Sequence, residues 1–505
     1  MLRQLLLAIA ICVVGAASGL GADLAPLVDL PPHGDDYTAA SLRRYLTGIE
    51  RQYGDYRNIP LAEKAAFFEW QLWRYHRTDY QQVYNRARLP GERGKLPEWL
   101  PGSDSSTWNG ALLGALAYKY AVTRDRDTLT HICGLLDGLR LFFEATRQPG
   151  LPARNVTPLD GPVADDQTGR FEKDGRKFAF RSQAAKGTVN QLAGGYLTLL
   201  LHVGRDLPGN YERMASDDLA AIALHLIEHE YHLTEADGKR TPYGDLTPVV
   251  ASVGAPFNAQ VAYMIVAAAH YFPPDNNAAR EKIAAEFNRL RHKHHVYYEE
   301  PWGSLLVLPQ RIGGSPLVKG MNDRLHVTYA AYLGLELDIE HARQHRLAFD
   351  RKLVFQLGQT MTHSMNLLWN QHNSLCNFIW AGLVRDEQVL ATIAPRDAER
   401  VRRQAEYGLI DGIEQLRRFR LNRFCGPGEE ENAHEALYND AHFPDDYYWK
   451  VNPEERFRPT GPTGDTFACA IDYLHAYWML RFLRLDQTAA ARQRFATVLS
   501  PGVSR

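Results

Sequence analysis

Cysteine is scarce in this chain, five in 505 residues, too few for a disulfide scaffold. None sits in a CxxC spacing, so nothing points to a thiolate metal knuckle. Cys133, Cys376, Cys425 and Cys469 read as buried thiols, and the sequence pairs none of them. An excess of either charge is also missing. Lys plus Arg is 57 against 59 Asp plus Glu, a formal net charge of −2. That excludes a broad basic footprint for nucleic acid and an acidic, disordered chain. Beyond the first 22 residues no uncharged run approaches the length of a membrane helix. The zinc-protease motif HExxH is absent as well. His225, His229 and His232 share one helical stripe but end in HEYH, and no metal or other cofactor is expected.

What is abundant is aromatic side chains, with 25 Tyr and 9 Trp. The amino terminus, MLRQLLLAIAICVVGAASGLGA, has a basic start at Arg3, an apolar run and small residues after it. This is the pattern of a signal peptide over 1–22, and it places the mature chain in the periplasm or outside the cell. Cys12 lies inside the apolar run, so a lipoprotein reading is rejected.

Segments of helical period fall into two classes. Asn109–Val122, Asn190–Val203, Asn258–Phe272, Asp323–Leu335, Ser374–Val384 and Phe467–Leu483 are small, apolar and nearly uncharged. A helix apolar almost all round must be covered almost all round. Leu61–Arg77, Asp127–Thr146, Tyr211–Leu233, Ala278–His295, His341–His363 and Asp397–Arg420 carry charge on one face. The classes alternate, which predicts an all-α fold of two concentric rings, an (α/α)6 toroid. An open solenoid is the rival, but its repeats keep a short, even period and these do not. Links from apolar to amphipathic helices are short and the return links long, so the long loops share one face and wall a cleft. Within one of them, RFEKDGRKFAF (Arg170–Phe180) predicts a hairpin turning at Asp174-Gly175. The division is then a helical segment over 23–100 that packs on a toroid at 101–485, followed by a helix and tail at 486–505.

The apolar helices open alike, with Asn109, Asn190, Asn258, Asn322 and Asn373 at or before a first turn, and Asp465 at the sixth. These read as N-caps that also ring the mouth of the cleft.

Two stretches carry a family resemblance. STWNGALLGALAYKYAVTRDRDTLTHICGLLDGLRLFFEATRQPGLPAR, and DYYWKVNPEERF followed by GDTFACAIDYLHAYWMLRFL, resemble the six-hairpin glycosidase-like superfamily over roughly residues 100–485. Most similar are its secreted bacterial members without an assigned reaction. The resemblance implies the toroid and a carbohydrate substrate. The wider superfamily holds glycoside hydrolases, unsaturated glucuronyl hydrolases, sugar epimerases and polysaccharide lyases. It also leads one to expect an acid opening the second apolar helix, where this chain has Asn190.

Glycoside hydrolysis needs two carboxyl groups. On the long-loop face the candidates are Asp104, Asp237 and Asp446, each beside aromatic or loop residues that suit a cleft. A lyase needs a base and charge neutralisation, for which His326 and Tyr473 are candidates. Sugar rings stack on flat aromatics, offered by Trp108, Trp302, Tyr448 and Trp449. Arg154 and Lys186 suit an acidic sugar, and Asn109, Asn190, Asn258 and Asn322 its hydroxyls. The expectation is an exported carbohydrate-active enzyme, a hydrolase before a lyase or epimerase, with a non-catalytic glycan-binding toroid as the alternative.

Overall fold

Helices with no polar face can only be buried against one another, and that requirement organises this chain. The structure is a computed structural model, and it describes residues 34, 36–100, 102, 104–163, 166–248, 255–293, 311–312, 315–316, 321–433, 435–442, 447–451 and 453–499. It is mostly helical, with 15 α-helices and small antiparallel sheets among the described residues. The helices are α1 (Ala39–Tyr53), α2 (Leu61–Gln71), α3 (Ser105–Thr123), α4 (Arg126–Thr146), α5 (Lys186–His202), α6 (Tyr211–Glu228), α7 (Ala255–Tyr271) and α8 (Asn277–Asn288). There follow α9 (Met321–Gln344), α10 (Arg351–Leu368), α11 (Ser374–Val384), α12 (Glu387–Ile393), α13 (Ala398–Arg418), α14 (Ile471–Phe482) and α15 (Ala489–Leu499).

The six apolar helices pack in chain order: α3 on α5, α5 on α7, α7 on α9, α9 on α11, α11 on α14, and α14 back on α3. The amphipathic helices cover them. α4 lies on α3, α6 on α5 and α7, α8 on α7, α10 on α9, α13 on α11, and α2 on α14. Asp125, Asn276 and Asp350 in the short links cap α4, α8 and α10 by accepting first-turn N–H groups. α3 and α5 pack backbone to backbone. A Cβ on Gly110 would stand 2.7 Å from the main chain of Gln191 and Leu192, so glycine there sets the spacing.

The small sheets sit in the loops. Strands β1 (Arg86–Arg88), β2 (Glu98–Leu100) and β12 (Thr466–Ala468) form one sheet with β1 in the middle. Residues 23–100 therefore contribute strands as well as helices, which the helical expectation for that segment overlooked. β3 (Asn155–Pro158), β4 (Gly169–Lys173) and β5 (Arg176–Arg181) form a second sheet. Its hairpin turns at Asp174 (φ 52°) and Gly175 (φ 78°), as the Asp-Gly pair predicts. β6 (His232–Thr234) pairs with β7 (Arg240–Asp245), β8 (Arg311–Ile312) with β9 (Ser315–Pro316), and β10 (Gly428–Asn432) with β11 (Glu455–Pro459).

The capping expectation needs correction. Only Asn373 caps its helix, accepting from Cys376 N at 3.1 Å. Asn109, Asn190, Asn258 and Asn322 lie inside their helices, because α3, α5, α7 and α9 begin two to four residues earlier than the apolar pattern. Asp465 precedes strand β12 rather than α14. No helix among the described residues is long and apolar enough to cross a membrane. The signal-peptide segment 1–22 lies outside the described residues.

Candidate functional site

The first turns of α3, α5 and α9 converge on a cavity of about 610 Å³. α3 contributes Asp104, Thr107 and Trp108, α5 contributes Ala185 to Thr188, and α9 contributes Asn322, Asp323 and His326. Arg154 comes from the strand entry before β3, Tyr243 from β7, and Lys450 and Val451 from the loop ahead of α14.

Each wall has a local cause. Asp104 occupies the N-cap position of α3 but makes no side-chain cap. Its Oδ1 instead accepts from Arg154 Nε at 2.7 Å and also from Nη2. The Arg154 backbone is pinned on both sides, its N–H donating to Arg181 O at 2.8 Å and its carbonyl accepting from Ser106 N at 3.0 Å. The ion pair is thereby fixed between a helix start and a sheet. Trp108 stacks on Tyr447 with ring centres 5.0 Å apart, and Lys450 Nζ lies 4.7 Å from the Trp108 ring centre. Lys186 Nζ donates to Asn258 Oδ1 at 3.3 Å, which ties α5 to α7 beside the cavity.

His326 is almost wholly buried, and burial pulls its ring down to about 4. Asp104 opposes that shift and Lys450 reinforces it. The ring is held from behind by Asn190, whose Nδ2 lies 3.0 Å from Nδ1. Among the described residues, three cations, Arg154, Lys186 and Lys450, thus share the cavity wall with two carboxylates, Asp104 and Asp323. Three helix N-termini add partial positive charge of about half a unit each. The described lining is therefore electropositive on balance. No group of three or more His, Cys, Asp or Glu among the described residues is placed to hold a metal.

Of the residues singled out from the sequence, Asp104, Trp108, Arg154, Lys186, Asn322 and His326 line this one cavity. Asn190 and Asn258 stand directly behind it as partners of His326 and Lys186.

Others are elsewhere. Asn109 is fully buried and serves the backbone: its Oδ1 accepts from Val83 N at 2.8 Å, and its Nδ2 donates to Val83 O at 2.8 Å and Ser105 O at 2.7 Å. Asp237 does not line the cavity but sits at the exposed β6–β7 turn, bound to Lys239 Nζ at 2.6 Å. Its carboxylate is held below the usual range by hydrogen bonds from Lys239. The same hairpin reaches the cavity through Tyr243 instead. Tyr473 is core, its hydroxyl donating to Leu61 O at 2.8 Å between Phe68 and Phe419. Trp449 is also core and overhangs nothing, because its Nε1 donates to Asp472 O at 2.7 Å. Tyr448 is buried beside it, with its backbone N–H on Asp472 Oδ2 at 3.1 Å. Asp446 and Trp302 lie outside the described residues.

Lys450, Asp323 and Tyr243 are the charged and aromatic lining residues that sequence reasoning passed over. The Asn322-Asp323 pair at a helix start was the available signal for Asp323, and nothing in the sequence marked Tyr243. No protein-family model matches this sequence, and no curated protein matches it.

Proposed function

We propose that the protein is an exported carbohydrate-active enzyme, a glycoside hydrolase first, acting on an acidic saccharide at the mouth of an (α/α)6 toroid of the six-hairpin glycosidase-like type. The toroid reading is supported by the neighbour order of the apolar helices, which returns from α14 to α3. One observation carries the functional reading. Asp104 and Asp323, three cations and Trp108 share a single cavity of about 610 Å³, a size suited to a small organic ligand. In this reading Asp104, held by Arg154, is the ionised carboxylate and Asp323 its acid partner. Lys186 and Lys450 recognise the sugar carboxylate.

The surplus of cations among the described residues also favours a second reading, a uronate lyase, in which they neutralise the carboxylate beside the carbon that loses its proton. Secreted protein incubated with a polysaccharide panel separates the two. New reducing ends without absorbance from unsaturated products mark the hydrolase, and that absorbance marks the lyase. Asp104→Asn and Asp323→Asn should each abolish turnover while saccharide binding persists. Full activity in either variant removes that residue from the mechanism. Saccharide binding with neither product identifies a glycan-binding protein. The mature chain should begin between Gly19 and Asp23, and terminal sequencing that returns Met1 would overturn export by cleavage.

A further inference from the structure

Beneath the cavity α3 packs between α5 and α14, and two polar groups face one spot there. His475 on α14 and Tyr329 on α9 are fully buried, their rings edge to face with centres 5.5 Å apart. His475 Nε2 and Tyr329 Oη are buried atoms with no hydrogen-bond partner among the described residues. A Cβ built on Gly114 of α3 would stand 3.2 Å from Tyr329 Oη, 3.7 Å from His475 Nε2 and 3.9 Å from Gly195 Cα. The two polar atoms and two glycines thus surround the same point. Gly114 lies about 9 Å beyond Trp108 along α3, at 1.5 Å per residue.

The surroundings do not supply what these atoms lack. Thr198 of α5 stands beside the Tyr329 hydroxyl. Its own hydrogen goes to Gly194 O at 2.8 Å, so it can accept from Tyr329 and cannot donate to it. The other ring nitrogen of His475 is taken, with Tyr447 Oη 2.8 Å from Nδ1. Tyr447 in turn stacks on Trp108 in the cavity wall. A buried polar group left unpaired costs the whole of its desolvation. Burial pulls the His475 ring down to about 3 and pushes the Tyr329 hydroxyl up. Both are therefore neutral near pH 7, and neither carries a charge that would hold an ion.

We propose that Gly114, Tyr329 and His475 form an internal water site, in which one water molecule donates to Tyr329 Oη and bonds His475 Nε2. Water fits because it both donates and accepts, and so serves Nε2 whichever ring nitrogen carries the hydrogen. Glycine at 114 leaves it room. The site completes a chain from the water through His475 and Tyr447 to Trp108, which braces the cavity wall from within the helix packing. It is independent of the function proposed above and needs no saccharide.

The test counts long-lived internal water in the full-length protein by oxygen-17 magnetic relaxation dispersion, in the wild type and in Gly114→Ala. The added methyl occupies the spot, so the variant should lose at least one such water molecule. Equal counts in the two folded proteins overturn the proposal. If the variant does not fold, a crystal structure of the wild type decides. Density for an ordered water within hydrogen-bond distance of Tyr329 Oη and His475 Nε2 is expected, and its absence where other buried waters are resolved overturns the site. Tyr329→Phe separates a hydrated hydroxyl from a dry one. Removing a bonded hydroxyl lowers the urea midpoint, the result expected here. Removing an unpaired one leaves the midpoint unchanged or raises it, and that result also overturns the proposal. None of these outcomes bears on the saccharide reading, which the polysaccharide panel decides.

Discussion

Replacing Gly110 by alanine should destabilise the protein, against the usual effect of that exchange in a helix. A methyl at this position would meet the carbonyl group of Gln191 and the nitrogen of Leu192 at 2.7 Å. The contact is reciprocal, since a methyl on Gly195 would come within 2.3 Å of Gly110 O. These neighbours are main chain and cannot rotate aside, so α3 and α5 must separate along their whole contact. Overpacking of this kind costs about 1–3 kcal/mol, and rigid backbone on both sides places it at the upper end. Better helix propensity returns about 1 kcal/mol, which leaves a net loss of about 2 kcal/mol. Gly48 on α1 is the control. It is exposed, with nothing within 4 Å of a built Cβ, so Gly48→Ala should stabilise by about 0.5–1 kcal/mol. Urea unfolding midpoints of the two variants should therefore move in opposite directions. A Gly110→Ala protein as stable as the wild type would refute the close-packing argument. The separation should also be felt at the cavity, whose Asp104 and Lys186 belong to the starts of the same two helices.

Lys450→Ala should weaken binding of an acidic saccharide about 5–30-fold, the range for a cation lost from an aromatic face and from a carboxylate, while Lys450→Arg retains most of it; calorimetric titration checks both. Asn109→Ala should cost about 2–4 kcal/mol of stability, because the N–H and carbonyl of Val83 lose their partner; a change confined to saccharide affinity would contradict this. Stability should fall as the pH drops from 6.5 toward 4, because burial pulls the rings of His76 and His475 down to about 3 and that of His326 to about 4. In that window the unfolded chain binds protons that the folded chain refuses, so stability rises with pH and the gain is complete above 6.5. Asp218, pushed up to about 6 by burial, and Asp338, Asp472 and Asp486, also raised by burial, act in the opposite sense, while His131 and His225, pulled down to about 4, add to the three rings. Denaturant midpoints across this range that stay flat, or rise toward acid, would count against the assignment.

The alternation of helix classes was legible because burial acts on whole faces, and a face of ten or more residues leaves a pattern in composition. Ser374–Val384 coincides with α11 residue for residue. The Asp174-Gly175 turn was legible for a different reason, since few residue pairs accept positive φ twice in succession. The cavity was partly legible. Asp104, Trp108 and Lys186 announce themselves as polar or aromatic residues next to helix starts, and Arg154 as a cation in a long loop. The errors came from single residues whose direction depends on a local turn. In the short 3-10 turn Tyr448–Lys450 the indole of Trp449 goes inward to Asp472 and the ammonium of Lys450 goes outward to Trp108. One step along the chain separates core from site, and composition carries no information at that scale. The asparagines were misplaced similarly. Asn is as good a cap as it is a bridge, and Asn109 turned out to imitate a strand by satisfying both main-chain groups of Val83.

The sheet with β1 at its centre has a kinetic consequence. Arg86, Ala87 and Arg88 pair on one side with Glu98–Leu100, a short loop away, and on the other with Thr466–Ala468, nearly the whole chain away. Leu89 N on Asp465 O and Cys469 N on Asn85 O extend that second seam. The first pairing closes quickly, because little loop entropy opposes it. The second must wait for a strand made far later in the chain and closes a much longer loop, and α14 follows directly behind it. Until then one edge of β1 stays open and α3 lacks a neighbour, so a nascent or truncated chain ending before Thr466 holds an unzipped seam. Such an edge is prone to pair with other chains, and completing the β1–β12 seam is expected to be a slow step of folding, because it joins segments far apart in sequence.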